Sequence, residues 1–229
     1  MYSGGAKANV ESANQFAEGN IMRTMSLARA PVRRARIQLL LGDPQGAFDK
    51  ASAAAAYLEG FSIAAGDGVG VERRGQNLQA ALGIVSESAL QLGRYGDAEA
   101  AARTRLPLPL TFLGDPSADK ANRQVQLALA LAYQGRGSEA RDALAPALEY
   151  YGREKKAGAA GTSFRLDYAY ALLASALAQD SDAAGRAARQ RALAAAESEL
   201  AGASDEVRKL YRARDISARI ASARSTPGS

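Results

Sequence analysis

Three short stretches of this chain share one order: an apolar helical segment, a glycine, a short turn, and an alanine early in the next helical segment. Each alanine follows its glycine by five residues, and the pairs are Gly42 and Ala47, Gly93 and Ala98, and Gly135 and Ala140. Glycine ends a helix because it adopts left-handed backbone angles without strain. A small alanine then allows the second helix to pack closely on the first. This repeated unit predicts a stack of helical hairpins.

The composition also favours an all-α fold. The chain is rich in Ala, the strongest helix former, whereas only 6% of its residues are aromatic and it contains no Trp. No segment alternates apolar and polar residues over the length of a strand. We therefore expect an all-helical protein whose close-packed helices are held together by few large side chains.

The spacing of the turns predicts how the hairpins are arranged. The three glycines are 51 and 42 residues apart, and a Gly-rich loop at 66–70 accounts for the longer interval. A fourth turn, at 179–182, continues the series. A period of this size with helix-turn-helix content indicates an α-solenoid. The expected divisions are an N-terminal segment with a capping helix (1–27), helical repeats (28–201), a C-terminal capping helix (202–224) and a disordered tail (225–229).

Some helix boundaries can be predicted from local residues. A long helix is expected to run from about Arg74 to Leu92, after the Gly-rich loop. The helix that begins at Ser138 should run to about Arg153, and Pro146 should kink it or mark its early end, because proline lacks the backbone N–H that a helix interior needs. The terminal helix should begin after the capping residue Ser204 and continue without interruption to about Ala223.

The turn from Gly93 to Ala98 resembles the tetratricopeptide repeat, whose pattern across the turn is Gly, one residue, an aromatic residue, two residues and Ala. Here the aromatic residue is Tyr95, while the other two turns carry Pro44 and Gly137 at that position. The repeat is longer than the usual period of about 34 residues and is similar to a roughly 42-residue variant of the family. The resemblance implies a right-handed superhelix of three to four hairpins with flanking capping helices. It also implies a protein-binding scaffold or sensor domain, which we expect to belong to a larger bacterial protein.

The same resemblance implies where a ligand would bind, because the first helix of each tetratricopeptide hairpin lines a concave groove. By position, the groove candidates are Arg29, Arg33, Arg36, Ala80, Glu87, Asn122, Gln126 and Tyr133. The three arginines share one helical face and could clamp the carboxylates or phosphates of an acidic ligand. A solvated helix face with ordinary ion pairs is the alternative interpretation of those arginines.

Enzyme chemistry is restricted by what the chain lacks. Without His or Cys it cannot build a zinc site of the usual kind or a Ser-His or Cys-His nucleophile. Catalysis by two facing carboxylates in a closed pocket is the remaining possibility. The Gly-rich loop at 66–70 lacks the Gly-Lys-Ser/Thr of a phosphate-binding loop and is interpreted as a linker. We therefore expect no enzyme activity, no catalytic residue, no metal and no cofactor.

Two partner classes stay open from the sequence. A protein or peptide, with an acidic one permitted by the net charge of +5, is the first. Nucleic acid is the alternative, since Arg208, Arg212 and Arg219 could form a basic stripe on the terminal helix, although neighbouring acidic residues dilute it. No apolar run is long enough to insert into a membrane. The cytoplasm is the expected compartment, and the periplasm stays open if the chain is part of a membrane-anchored protein.

Overall fold

Helices form the whole fold of the part of the chain that the structure describes. The structure is a computed structural model that describes residues 29–61, 68–108 and 116–225, and no strand occurs within them. The helices are α1 (29–41), α2 (Pro44–Gly60), α3 (Gly68–Gln91), α4 (Tyr95–Arg105), α5 (Pro116–Tyr133), α6 (Gly137–Lys156), α7 (Thr162–Leu177), α8 (Ala183–Ala201), α9 (Asp205–Arg208) and α10 (Tyr211–Ser225). The predicted all-α class is confirmed. The expected helix in the N-terminal segment and the residues of the tail after Ser225 lie outside the described residues.

The glycine turns have the geometry that the sequence predicts. Gly42, Gly93 and Gly135 have φ angles of 85°, 71° and 76°, in the left-handed region that favours glycine. In each turn the N–H of the next residue donates to a carbonyl five residues back, as Arg94 does to Ala89 at 2.9 Å. This bond satisfies a carbonyl that the end of the helix leaves without a partner. The same local geometry therefore ends α1, α3 and α5.

Alanine permits close contact within each hairpin, and tyrosine connects two of the hairpins. Ala47, Ala98 and Ala140, each near the start of a second helix, are completely buried. The ring of Tyr95 on α4 stacks on that of Tyr133 at the end of α5, with the centroids 4.6 Å apart and the planes 7° from parallel. The aromatic residue of the turn motif thus joins its own hairpin to the following one.

Packing follows the order of the chain, with one further layer of contacts. Each helix from α2 to α8 packs on its neighbours in sequence, and α5 also contacts both α3 and α7. These three are the first helices of successive hairpins, so they lie side by side. We call the surface that they form the first-helix face. The C-terminal helix α10 packs on α7 and α8, and the side chain of Arg219 on α10 reaches the carbonyl of Leu90 on α3.

Two predicted boundaries are wrong, the start of α3 and the unbroken terminal helix. α3 begins at Gly68 rather than near Arg74, so residues 68–70 of the predicted Gly-rich loop are helical and Gly70 is buried. α6 continues through Pro146 to Lys156, close to the expected end near Arg153, so Pro146 does not end this helix early. The terminal helix is interrupted between Arg208 and Tyr211, which lets Val207 and the apolar stripe of α10 both enter the main core.

None of the described helices is long and apolar enough to cross a membrane.

Leucine in place of the hairpin alanines should destabilise the fold. Ala98 and Ala140 are each 0% exposed, so Ala98→Leu and Ala140→Leu would force added methyl groups into filled space. The expected loss is about 1–3 kcal/mol of unfolding free energy for each variant, measured by urea denaturation. Ala100→Leu is the matched control, because Ala100 lies on the same helix as Ala98 and is exposed. Equal stability of all three variants and the parent would contradict the hairpin packing.

Candidate functional site

The chain's own C-terminal helix packs on α7 and α8 and reaches α3 and α5 through the side chains of Arg212 and Arg219. α10 buries Ala213, Ile216, Ile220 and Ala223, which recur at intervals of three, four and three residues and so form one stripe. These residues belong to one core cluster, which also contains Leu90 of α3 and residues of α5 and α7. An amphipathic helix therefore lies against α7, one of the three first helices, and extends side chains to the other two.

Arg212 anchors the first turn of α10 to two carboxylates that lie far apart in sequence. Its guanidinium lies 2.7 Å from Oδ1 of Asp167 on α7 and 3.5 Å from Oε1 of Glu87 on α3. It also lies near the ring of Tyr170, 5.6 Å from the centroid. Burial alone would lower the pKa of Arg212, but the carboxylates of Asp167 and Glu87 outweigh it and hold this pKa above its ordinary value. The guanidinium is therefore charged and fixed between α3 and α7.

Arg219 makes the second polar anchor, two helical turns further along α10. Its Nη2 donates to the carbonyl of Leu90 on α3 at 2.8 Å, and its Nε donates to Asp215 at 2.9 Å. The guanidinium carbon lies 5.3 Å from the ring centroid of Tyr133 on α5, close enough for a cation–π interaction. Burial lowers the pKa of Arg219 less than the surrounding oxygens of Tyr170, Tyr133 and Asp215 raise it. Arg212 and Arg219 together connect α10 to all three first helices.

The start of α10 also lies against the first described turn. A Cβ added to Gly42 would come within 2.8 Å of two ring atoms of Tyr211. Gly42 is thus required twice, once for its positive φ and once for the close approach of this ring. The contact places the beginning of α10 beside the end of α1.

A buried polar network supports the face from beneath. Asp119 on α5 accepts hydrogen bonds from Gln79 of α3, Arg105 of α4 and Arg123 of α5, at 2.7 to 3.1 Å. Arg105 also donates to Gln126 at 2.9 Å. Burial lowers the pKa of Arg105 to about 10, although the carboxylate of Asp119 opposes this shift. The network holds α3, α4 and α5 together through paired buried charges.

The structure brings two of the eight predicted groove residues to the α10 contact and a third, Asn122, to the carboxylate of Asp167 that binds Arg212. Glu87 binds Arg212, Tyr133 lies under Arg219, and Asn122 donates to Asp167 at 3.4 Å. Gln126 is instead buried in the polar network beneath the face, and Ala80 is half-buried on α3.

The arginine stripe of α1 does not take part in that contact. Arg29, Arg33 and Arg36 are exposed, and none has a hydrogen bond or ion pair with another residue in the described ranges. They remain three positive charges on one helical face, beside exposed Ile37 and Leu40.

Sequence reasoning missed the residues that hold α10 in place. Asp167 and Tyr170 were not among the candidates, and the arginines of the terminal helix were interpreted only as a basic surface stripe. In the structure Arg212 and Arg219 point into the fold, while Arg208 pairs with Asp205. The sequence signal for these contacts is the apolar stripe on α10. Such a stripe indicates that one face of the helix is packed, and arginines beside it then lie at the edge of the contact rather than in solvent.

Neither the family models, nor the curated proteins, nor the solved structures contain a significant match to this chain. The resemblance to tetratricopeptide repeats therefore stays a prediction that depends on the turn motif and on the packing of the hairpins.

Removing the charge of Arg212 should loosen α10 selectively. Arg212→Gln leaves Asp167 and Glu87 without their shared cation, at an expected cost of about 1–3 kcal/mol. Hydrogen exchange of the amides in 211–225 should accelerate, while exchange in α5 and α6 changes little. Arg214→Gln is the control, because Arg214 lies on the same helix and is exposed. Unchanged exchange in 211–225 would show that the ion pairs do not hold α10.

Proposed function

We propose that this chain is a non-catalytic protein-interaction scaffold or sensor domain, built as a right-handed solenoid of tetratricopeptide-like hairpins and belonging to a larger protein. Its ligand would be a helical segment of a partner protein, bound on the first-helix face. One observation carries the proposal: an amphipathic helix, α10, lies against that face at α7 through a buried apolar stripe, and its two charged anchors reach α3 and α5. A surface that accepts one helix in this way has the shape and chemistry to accept another.

The receptor side of this contact is preorganised. Its polar residues stand on α3, α5 and α7, which are fixed to one another by direct packing and by the Asp119 network. A rigid surface loses little conformational entropy when it binds, so more of the contact energy appears as affinity. This favours a binding role for the face over a merely structural one.

The contact also suggests the chemistry of the partner. Glu87, Asp167 and the rings of Tyr133 and Tyr170 together favour a cation, and two arginines seven residues apart meet them in α10. A partner helix would therefore present two basic residues at that interval beside an apolar stripe. The exposed arginines of α1 would suit an acidic segment next to that helix. An acidic partner segment and a basic partner helix are thus compatible on different parts of the surface.

A labelled peptide with the sequence of residues 205–225 tests the proposal directly. In the parent chain, α10 competes at a high effective concentration because it is covalently attached, so the added peptide should bind weakly. In the full-length Arg212→Gln, Arg219→Gln variant the attached α10 is weakened, and the peptide should bind at least tenfold more tightly by fluorescence anisotropy. Adding Glu87→Gln and Asp167→Asn to that variant should remove the gain.

Two controls make this experiment decisive. A peptide of the same composition in scrambled order should not bind, because it lacks the stripe and the interval between the arginines. Equal binding of both peptides would contradict a specific face. Loss of helicity throughout the double variant would also contradict the proposal, because a receptor has to stay folded when α10 leaves.

The nucleic-acid alternative can be separated in the same assay. Mixed-sequence DNA and RNA at low salt should not bind the parent chain, whose terminal-helix arginines are engaged in contacts within the protein. Binding that falls steeply with added salt would favour the nucleic-acid alternative instead.

A further inference from the structure

A second candidate site lies at the turn end of the third and fourth hairpins, beside the first-helix face, with which it shares Tyr133. A cavity of about 530 Å³ opens there between the α5–α6 turn and the α7–α8 turn. Its polar and charged lining includes Ser138, Arg141, Asp180, Ser181, Arg186 and Arg189. The volume is in the range of small-molecule sites, which usually measure about 300–1,000 Å³.

The charge of this cavity is strongly unbalanced. Three of its lining residues are arginines and only one, Asp180, is acidic. Asp180 lies 3.1 Å from Nη1 of Arg141, whereas no carboxylate in the described part of the chain lies within ion-pair distance of Arg186 or Arg189. Two positive charges therefore remain at the cavity without an acidic partner there.

The three guanidinium groups are held in place by backbone carbonyls. Arg141 donates to Ala178 at 2.6 Å, Arg189 donates to Ala223 at 2.6 Å, and Arg186 donates to Ser181. A guanidinium has five N–H donors. Since Arg186 and Arg189 each use one of them within the described ranges, both have donors left for a ligand.

Helix ends of both signs border the cavity. α6 begins at Gly137, beside the cavity, and its N-cap residue Arg136 makes no side-chain capping hydrogen bond. A Cβ on Gly137 would lie 3.0 Å from the carbonyl oxygen of Ala178, so α6 begins directly against the α7–α8 turn. The start of α6 favours an anion, whereas α5 and α7 end at the same cavity and act in the opposite sense, so the arginines carry the charge of the site.

We infer that this cavity binds a small polar molecule carrying a compact dianion, either a phosphate monoester or a dicarboxylate. Two guanidinium groups without carboxylate partners match two negative charges, and Arg binds both kinds of oxyanion by paired hydrogen bonds. The hydroxyl groups of Ser138 and Ser181 can hydrogen-bond the uncharged, hydroxylated part of the ligand. The site adjoins the α10 contact, because Tyr133 borders both and Arg189 donates to the carbonyl of Ala223 on α10.

Calorimetry with the full-length chain at low salt tests the inference. The probes are glucose 6-phosphate, malate and glucose, which separate a phosphate monoester and a dicarboxylate from an uncharged sugar. We expect one equivalent of one dianion to bind and glucose not to bind. Absence of binding by both dianions would overturn the inference.

Substitutions assign the binding to the cavity. Arg186→Gln should lower the affinity for whichever dianion binds the parent chain by at least tenfold. Arg191→Gln should change that affinity less than twofold. Arg191 is the matched control, because it is an exposed arginine on the same helix outside the cavity lining. An equal loss of affinity in both variants would show that only the net charge of the chain matters, and it would overturn the site.

A second variant should raise the affinity for the dianion, and its result does not depend on whether Arg186→Gln folds. Asp180→Asn removes the only carboxylate in the lining, so the dianion should bind several-fold more tightly. Asp180 is exposed, and the variant should keep its parent helicity by circular dichroism. Weaker binding in this variant would contradict an anion site.

Discussion

The burial of Arg212 between Glu87 and Asp167 is the interaction on which the position of α10 depends. A guanidinium removed from water is strongly destabilising unless carboxylates and hydrogen bonds replace its hydration. Here the two carboxylates stand on α3 and α7, so the guanidinium pairs with both only where those helices lie side by side. The ion pairs thus select one position for α10, and the apolar stripe of α10 supplies most of the attraction to that position.

Close packing of the hairpins makes this arrangement possible. Alanines at the start of the second helices allow short distances between helices, and the left-handed glycines reverse the chain within a few residues. The first helices can then contact one another and present a continuous surface. Rigidity in this scaffold comes from small residues and short turns, with the Asp119 network fixing α3, α4 and α5 beneath the surface.

The sequence predicts the hairpins much better than it predicts the site. Gly42, Gly93 and Gly135 act locally, so their turns follow from a few neighbouring residues. The pairing of Arg212 with Glu87 joins residues 125 positions apart, and no local pattern records it. The α10 stripe is visible in sequence as an amphipathic helix, but the surface that it covers is a property of the packed hairpins. Glu87, Asn122 and Tyr133 were found because the tetratricopeptide resemblance assigned them to first helices, while Asp167 and Tyr170 stand on the hairpin for which no candidate was named.

The central claim is that α10 lies on the first-helix face in solution. The most direct test is a nuclear Overhauser measurement between the side chain of Arg219 and the ring protons of Tyr133, in chain labelled selectively at Arg and Tyr. A cross-peak is predicted from the Cδ protons of Arg219, because the guanidinium carbon next to them in the side chain lies 5.3 Å from the ring centroid. Absence of the cross-peak, with α10 helical and the remaining hairpins folded, would contradict the account.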